Sequence, residues 1–235
     1  MVPVSFAPLF AFQGHEMALV QGRALFWPEE RALLVADLHL EKASFFAARG
    51  QMLPPYDSRD TLERLALAIR ETGARRVFCL GDNFHDDDGA VRLEPFAAGM
   101  LAALTRATDW VWITGNHDSR LSGGIGGEVA DQAALGGIAL RHRASPGVEG
   151  AEISGHFHPR LTVSARGRRI ARVCAVSSGQ RLILPAYGAL TGGMNAAAPE
   201  ILAALQPARA IDALAAVGPA GGNRLVSYPL WRADA

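Results

Sequence analysis

The sequence predicts an α/β fold in a single domain containing two β-sheets. Three observations predict it. Between residues 16 and 118 apolar strands alternate with amphipathic helices, the signature of parallel strands covered on their faces. Beyond residue 137 short strands joined by tight turns take over. Several apolar strands also stop on aspartate, asparagine or histidine, as a sheet does when its strand ends carry a site.

The elements follow in order. "EMALVQ" (16–21), "RALFW" (23–27) and "ALLVADL" (32–38) read as short strands separated by Gly22 and by Pro28-Glu29-Glu30. A helix starts at Asp57 or Ser58, carries Leu62, Leu65, Ala66 and Ile69 on one face, and stops at Gly73. "RRVFCLGDN" (75–83) is a second buried strand with a glycine-acid ending, and 93–105 fits a helix with Pro95 in its first turn. "DWVWITGNHD" (109–118) is the third, and Trp110 and Trp112 inside it read as core. "GIALRH", "AEISGHFHP", "RLTVSA", "RRIARVCAVS" and "QRLILP" supply the later strands. Residues 197–206 are helical in pattern, and "RLVSYPL" is a closing strand. The run "SGGIGG" (122–127) matches neither a Walker sequence nor a dinucleotide fingerprint and reads as a mobile connection.

Composition narrows the function classes. The 235 residues are 49% hydrophobic and 20% charged, enough for one core and one domain, 1–235. Twenty-two arginines and a single lysine, Lys42, balance the acids to zero net charge. Overall charge therefore gives no argument for nucleic acid, and a basic surface has to be sought by position. Cys79 and Cys174 lie in apolar runs without a CxxC pair and read as buried free thiols. No apolar run reaches the roughly 20 residues of a membrane span, and the N-terminus lacks a basic n-region. The expected setting is soluble and cytoplasmic.

Candidate ligands collect at the strand ends: Asp37 and His39 in "DLH", Asp82 and Asn83 in "GDN", Asn116, His117 and Asp118 in "GNHD", His142 in "LRH", and His156 and His158 in "GHFH". Each piece alone has an ordinary reading as a turn or an exposed pair. Together they use five of the seven histidines, and a core avoids such groups unless their polar atoms are satisfied. Mixed histidine, carboxylate and amide ligation suits Mn²⁺, Fe²⁺ or Zn²⁺, whereas Mg²⁺ prefers oxygen donors. No nucleophile site competes: Ser154 and Ser178 lack a G-x-S-x-G elbow.

The ordered set "DLH…GDN…GNHD…H…GHFH" resembles the calcineurin-like metallophosphoesterase superfamily over residues 37–158. "LVADLHLEK", "GQMLPPYDSRDTL", "GDNFHD", "GHFHP" and "LPAYGALTGGMN" resemble, more narrowly, the bacterial ligase-associated DNA damage response phosphoesterases. The resemblance implies a four-layer α/β/β/α sandwich of two mixed β-sheets holding two divalent ions, Mn²⁺ first, with Fe²⁺, Zn²⁺ or Mg²⁺ as alternatives. Asp37, His39 and His158 would serve one ion, Asn116, His142 and His156 the other, and Asp82 would bridge them. His117 would face the phosphoryl group or protonate the leaving oxygen, with Asp118 orienting it. His142 has no tight motif around it; His85 is the nearest replacement, though its place after "GDNF" suits a substrate-facing loop.

Two ions about 3.5–4 Å apart neutralise phosphoryl oxygens and activate water for in-line attack. The expected activity is hydrolysis of phosphodiesters, DNA above all, with a ligase and a helicase as repair partners implied by the resemblance. Small nucleotide-like diesters are the alternative substrates, and a non-catalytic metal-stabilised scaffold is the alternative class. Lys42 and Arg49, just past "DLH", are helix-surface charges or phosphate holders. "RGRRIAR" (166–172), with Arg160, is a solvated strand edge or a basic rim.

Overall fold

The computed structural model describes residues 9–121, 124–165, 167–218 and 224–233. One seven-stranded sheet runs in spatial order β1 (Phe10–Phe12), β2 (His15–Val20), β3 (Ala24–Trp27), β4 (Ala32–Val35), β5 (Arg76–Leu80), β6 (Asp109–Ile113) and β7 (Glu128–Ala130). Its first four strands are antiparallel neighbours; β4, β5, β6 and β7 are parallel. The second sheet contains β8 (Ala133–Leu135), β9 (Ile138–Leu140), β10 (Glu152–Ser154), β13 (Ala175–Ser177), β14 (Arg181–Ile183), β16 (Ala210–Val217) and β17 (Arg224–Arg232), ordered β17-β16-β13-β14-β10-β9-β8. Here β9, β10 and β14 are parallel and the other pairings antiparallel. A small third sheet, which the sequence reading did not separate, joins β11 (Pro159–Ala165), β12 (Arg168–Val173) and β15 (Met194–Asn195).

Period-2 alternation sorts each apolar run onto two faces. In β4, Ala32 and Leu34 join Leu25, Phe78 and Ile113 in a core between the sheets, where they meet Leu140, Ile153 and Leu182. Leu33 and Val35 point the other way, with Val77, Cys79, Trp110 and Trp112, under α2 (Asp57–Thr72) and α4 (Pro95–Ala107). A strand buried on both faces must be apolar at every position, which explains the uninterrupted "ALLV" and "VFCL". The outer face of the second sheet packs Val176, Ile183 and Ile211 under α5 (Pro199–Ala204). The result is an α/β/β/α sandwich of two mixed sheets. Both cysteines are buried and free.

Helix α2 ends at Gly73 in the left-handed region (φ 66°), and its buried stripe runs through Thr61, Leu62, Leu65 and Ala68, with Ala68 in place of the expected Ala66. In α4, Pro95 occupies the first turn and the Glu94 carboxylate accepts from the N–H groups of Phe96 and Ala97. The chain between residues 207 and 223, left without an element by sequence, supplies β16. "AIDALAAV" has helix-forming residues, but pairing with β13 and β17 overrides that propensity. The short helix α1 (Lys42–Ala47) carries Lys42 at its start and ends before Arg49, and the short helix α3 (Gly89–Arg92) escaped the pattern. Ser122 and Gly123, the first two residues of the "SGGIGG" run, lie outside the described residues. Among the described residues no helix is long and apolar enough to cross a membrane.

Leu65 is fully buried between α2 and the first sheet. Leu65→Ala is expected to cost about 2–5 kcal/mol, read as a shift of the urea midpoint with unchanged slope.

Candidate metal centre

The parallel strands β4, β5 and β6 end beside one another, and the residues just past them are Asp37, Asp82 and Asn116. His142 and His156 follow β9 and β10 in the second sheet. The two sheets are stitched together at this edge. The chain leaving β14 crosses to pair Ala186 with Ala36, and the N–H groups of Tyr187 and Gly188 donate to the carbonyls of Ala36 and Asp37 at 2.8 and 3.2 Å. The "DLH" and "GDN" loops are zipped by Asp37 N–H to Gly81 O (3.1 Å), His39 N–H to Asp82 O (2.9 Å) and Leu40 N–H to Asn83 O (2.9 Å). The His156 N–H closes the set on the buried Asp37 carboxylate, at 2.9 and 3.1 Å.

This zipping forces an unfavourable backbone. Asp37, His39, Asp82, His156 and His158 all have φ between 45° and 74°, a region that side chains with a Cβ avoid. Such conformations cost about 1–3 kcal/mol each and persist where surrounding contacts over-determine them.

Among the described residues the donor atoms form three groups: one is His39, His85 and His117, and the other two share Asp82. Asp37, His39, Asp82 and His158 place donors within 4.8 Å of one another, and so do Asp82, His142 and His156. In the first, His158 Nε2 is 3.4 Å from Asp37 Oδ1, and His39 Nε2 is 3.3 Å from His158 Nε2 and 3.8 Å from Asp82 Oδ2. In the second, His142 Nε2 is 3.4 Å from Asp82 Oδ1, 3.0 Å from His156 Nδ1 and 2.9 Å from Asn116 Oδ1. Each oxygen of Asp82 therefore faces one group. The His142 Nδ1–H donates to the Leu80 carbonyl at 3.0 Å, which leaves the Nε2 lone pair aimed at the second group.

Imidazole nitrogens converging on one another and on carboxylates suit a cation, since neutral rings offer lone pairs there. Burial first, then the fields of His158, His117, His85 and Lys42, push His39 down to about 2. His85 is pushed down to about 4, again mainly by burial with Lys42 and His117 adding. His156 is lowered by burial and by His142 and Arg143. These rings stay unprotonated near neutral pH, the state a metal ligand requires.

His117 stands beside the donor groups. Its ring centre is 5.0 Å from that of His39, its Nδ1–H donates to the His85 carbonyl at 2.9 Å, and its backbone N–H donates to Asp82 Oδ1 at 3.0 Å. Asp118 does not orient it. The Asp118 carboxylate is buried and accepts from the backbone N–H groups of Gly115, Asn83 and Phe84 at 2.8, 2.8 and 3.2 Å, so it clamps the "GDN" and "GNHD" loops together. Burial raises its pKa against those hydrogen bonds. The orienting partner of His117 is a carbonyl, which the sequence does not announce.

His85, expected as a substrate contact, is instead 8% exposed and held inside the site. Its ring stacks on His117, packs against Phe45 and Phe46, and sets Nδ1 3.3 Å from His39 Nδ1. A His39 that offers Nε2 keeps its proton on Nδ1, where His85 can accept it. Lys42 is half-buried within electrostatic reach of both rings, and burial lowers its pKa. Arg49 is exposed, lies over the Phe45 ring at 3.5 Å and donates to the Phe45 carbonyl, with no described contact to a donor group.

The "DSRDTL" motif acquires a task. Ser58 Oγ accepts from Glu41 N–H and donates to Glu41 Oε1, Asp57 accepts from Ala43 N–H, and Thr61 Oγ1 accepts from Ala189 N–H. One helix start thus braces both the segment after "DLH" and the "PAYGAL" segment.

A family model described as calcineurin-like phosphoesterase matches residues 30–163, which hold every donor named above. The chain belongs to that family. Calcineurin-like phosphoesterases use divalent metals, and metal-dependent hydrolysis of phosphoesters is the chemistry of this centre. No curated protein matches the chain. Among solved structures, the Pseudomonas putida nuclease MPE is similar at 27% identity and a TM-score of 0.70, over 95% of this chain and 99% of that one.

The glycines before the ligands leave no space. A Cβ on Gly115 would overlap the backbone N and Oδ1 of Asp82, and one on Gly81 would overlap the His142 ring. Gly115→Ala should strip bound metal, measured by elemental analysis of the folded variant. Gly99→Ala, in open space on α4, should retain it.

Proposed function

We propose that the chain is a binuclear phosphodiesterase that cuts nucleic-acid strands. The observation that carries this reading is the Asp82 carboxylate, with one oxygen toward each donor group. Asp37, His39 and His158 would hold one ion and Asn116, His142 and His156 the other, with Asp82 shared. The donor set of four imidazoles, two carboxylates and an amide favours Mn²⁺ over an oxygen-seeking ion. When bound, such a pair neutralises the phosphoryl oxygens and makes water a nucleophile at neutral pH.

The chain's own residues do the rest. With Nδ1–H donating to the His85 carbonyl, His117 presents Nε2 as the atom that donates to the phosphoryl group or protonates the leaving oxygen. Asp118 keeps the two loops in register, and His85 fixes His39. The strained loops hold these groups in place before substrate arrives. The likeness to a nuclease supports nucleic acid as substrate. A setting in DNA repair beside a ligase and a helicase rests on the motif resemblance alone.

The reading is tested on metal-free protein reloaded with Mn²⁺, Mg²⁺ or Zn²⁺, assayed on a nitrophenyl diester, a nitrophenyl monoester and single- and double-stranded DNA. Diester and DNA turnover should dominate with Mn²⁺; dominance of the monoester by orders of magnitude contradicts it. Asp82→Asn should weaken both ions together, and two tightly held ions with full turnover would remove the shared ligand. His117→Ala should keep both ions while slowing the chemical step roughly 10²–10⁴-fold. The loss should be larger for an alkoxide than for a nitrophenolate leaving group. Loss of metal in that variant would make His117 a ligand.

A further inference from the structure

The "PAYG" segment and the residues around it carry a second concentration of charge. Arg23, between β2 and β3, lies in the field of Arg64 on α2 and of Arg160 on β11, beside Tyr187. The Arg23 guanidinium donates to the Ala186 carbonyl at 2.6 Å, and the Arg64 guanidinium carbon lies 5.1 Å from the Tyr187 ring centre. The Arg160 side chain passes over Gly193, where a Cβ would overlap it. All three arginines are part-buried.

None of the three has a carboxylate within ion-pair distance among the described residues. Arg59, Arg76, Arg92, Arg120, Arg141, Arg181 and Arg232 each have one. Glu71 is the acid whose field reaches Tyr187; among the described residues it forms no ion pair, and its Oε2 is buried without a hydrogen-bond partner. The Tyr187 hydroxyl is fully buried and, among the described residues, without a hydrogen-bond partner. Burial first, then Arg64 and Arg160, pull Arg23 down to about 10, so Arg23 stays charged at neutral pH. Part-buried like charges without an ion-paired carboxylate repel one another, and a bound anion relieves that repulsion.

The cluster adjoins the metal centre. Arg160 follows His158 by two residues, and the N–H of Gly188, next to Tyr187, donates to the Asp37 carbonyl at 3.2 Å. Guanidinium forks match the geometry of phosphate oxygens. We propose that Arg23, Arg64 and Arg160 form an anion subsite that grips a backbone phosphate flanking the scissile one in a nucleic-acid strand. This rests on the reading that nucleic acid is the substrate. A small diester has no flanking phosphate and gains nothing from the subsite.

The test compares the Mn²⁺-loaded full chain with the Arg64→Gln/Arg160→Gln double variant on a single-stranded oligonucleotide and on a nitrophenyl diester, at several salt concentrations. Arg23 is spared because its bond to Ala186 helps join the sheets. Arg59→Gln, on the exposed face of the same helix, is the control. The double variant should lose at least about tenfold in kcat/KM on the oligonucleotide through KM, well beyond any loss on the diester. The slope of log(kcat/KM) against log[salt] should become shallower by up to about 0.7, the value for one single-strand phosphate contact. Arg59→Gln should match the parent. Unchanged oligonucleotide kinetics in the double variant would overturn the subsite while leaving the nuclease reading intact. Equal losses on both substrates would also overturn it, showing that the arginines act through the metal loops. A parent that hydrolyses the diester and ignores the oligonucleotide would overturn the nucleic-acid reading itself.

Discussion

The Asp82 carboxylate is fixed by its own backbone and by its neighbours on every side. Its φ of 49° is held by the hydrogen bond from His39 N–H to its carbonyl, its Oδ1 accepts from His117 N–H, and Gly115 packs against it with no room for a Cβ. That single placement depends on both sheets. It needs β5 to end beside β4 and β6, and it needs the second sheet to bring His142 within 3.4 Å. The crossing of the chain after β14, where Ala186 pairs with Ala36, keeps the two sheets in the required register.

Holding five donor-bearing residues in the left-handed region is unfavourable, and the surrounding packing offsets it. The apolar layers between and outside the sheets are closely filled by Trp27, Trp112, Phe78 and the leucines of β3, β4 and β14. The loop clamps then distribute the load: Asp118 collects three backbone N–H groups from two loops, and Ser58, Asp57 and Thr61 brace two more. Strain concentrated at donors and support distributed through buried polar groups is the pattern expected of a preorganised site.

Much of this was legible in the sequence. Apolar runs ending on Asp37, Asp82 and Asn116 announce buried parallel strands with polar ends, because only such strands need to be apolar on both faces. The helix from Asp57 to Gly73 is readable from its periodicity and its glycine stop. The strand at 210–217 was not legible, since an alanine- and leucine-rich segment declares no preference that sheet pairing cannot override. The positioning of His117 was misjudged for a different reason. A carboxylate adjacent in sequence suggests a partner, whereas Asp118 turns to the backbone and His117 is held by a main-chain carbonyl, which no side-chain pattern reveals. The cluster of Arg23, Arg64 and Arg160 joins residues from three elements and could be seen only after they folded together.

The shared position of Asp82 is tested most directly by crystals grown with Mn²⁺ and measured for anomalous scattering. A carboxylate that serves both donor groups predicts two peaks about 3.5–4 Å apart, one beside Oδ2 with Asp37, His39 and His158, the other beside Oδ1 with Asn116, His142 and His156. A single peak at full occupancy under saturating Mn²⁺, or a second one coordinated by His85 and His117 without Asp82, would contradict it.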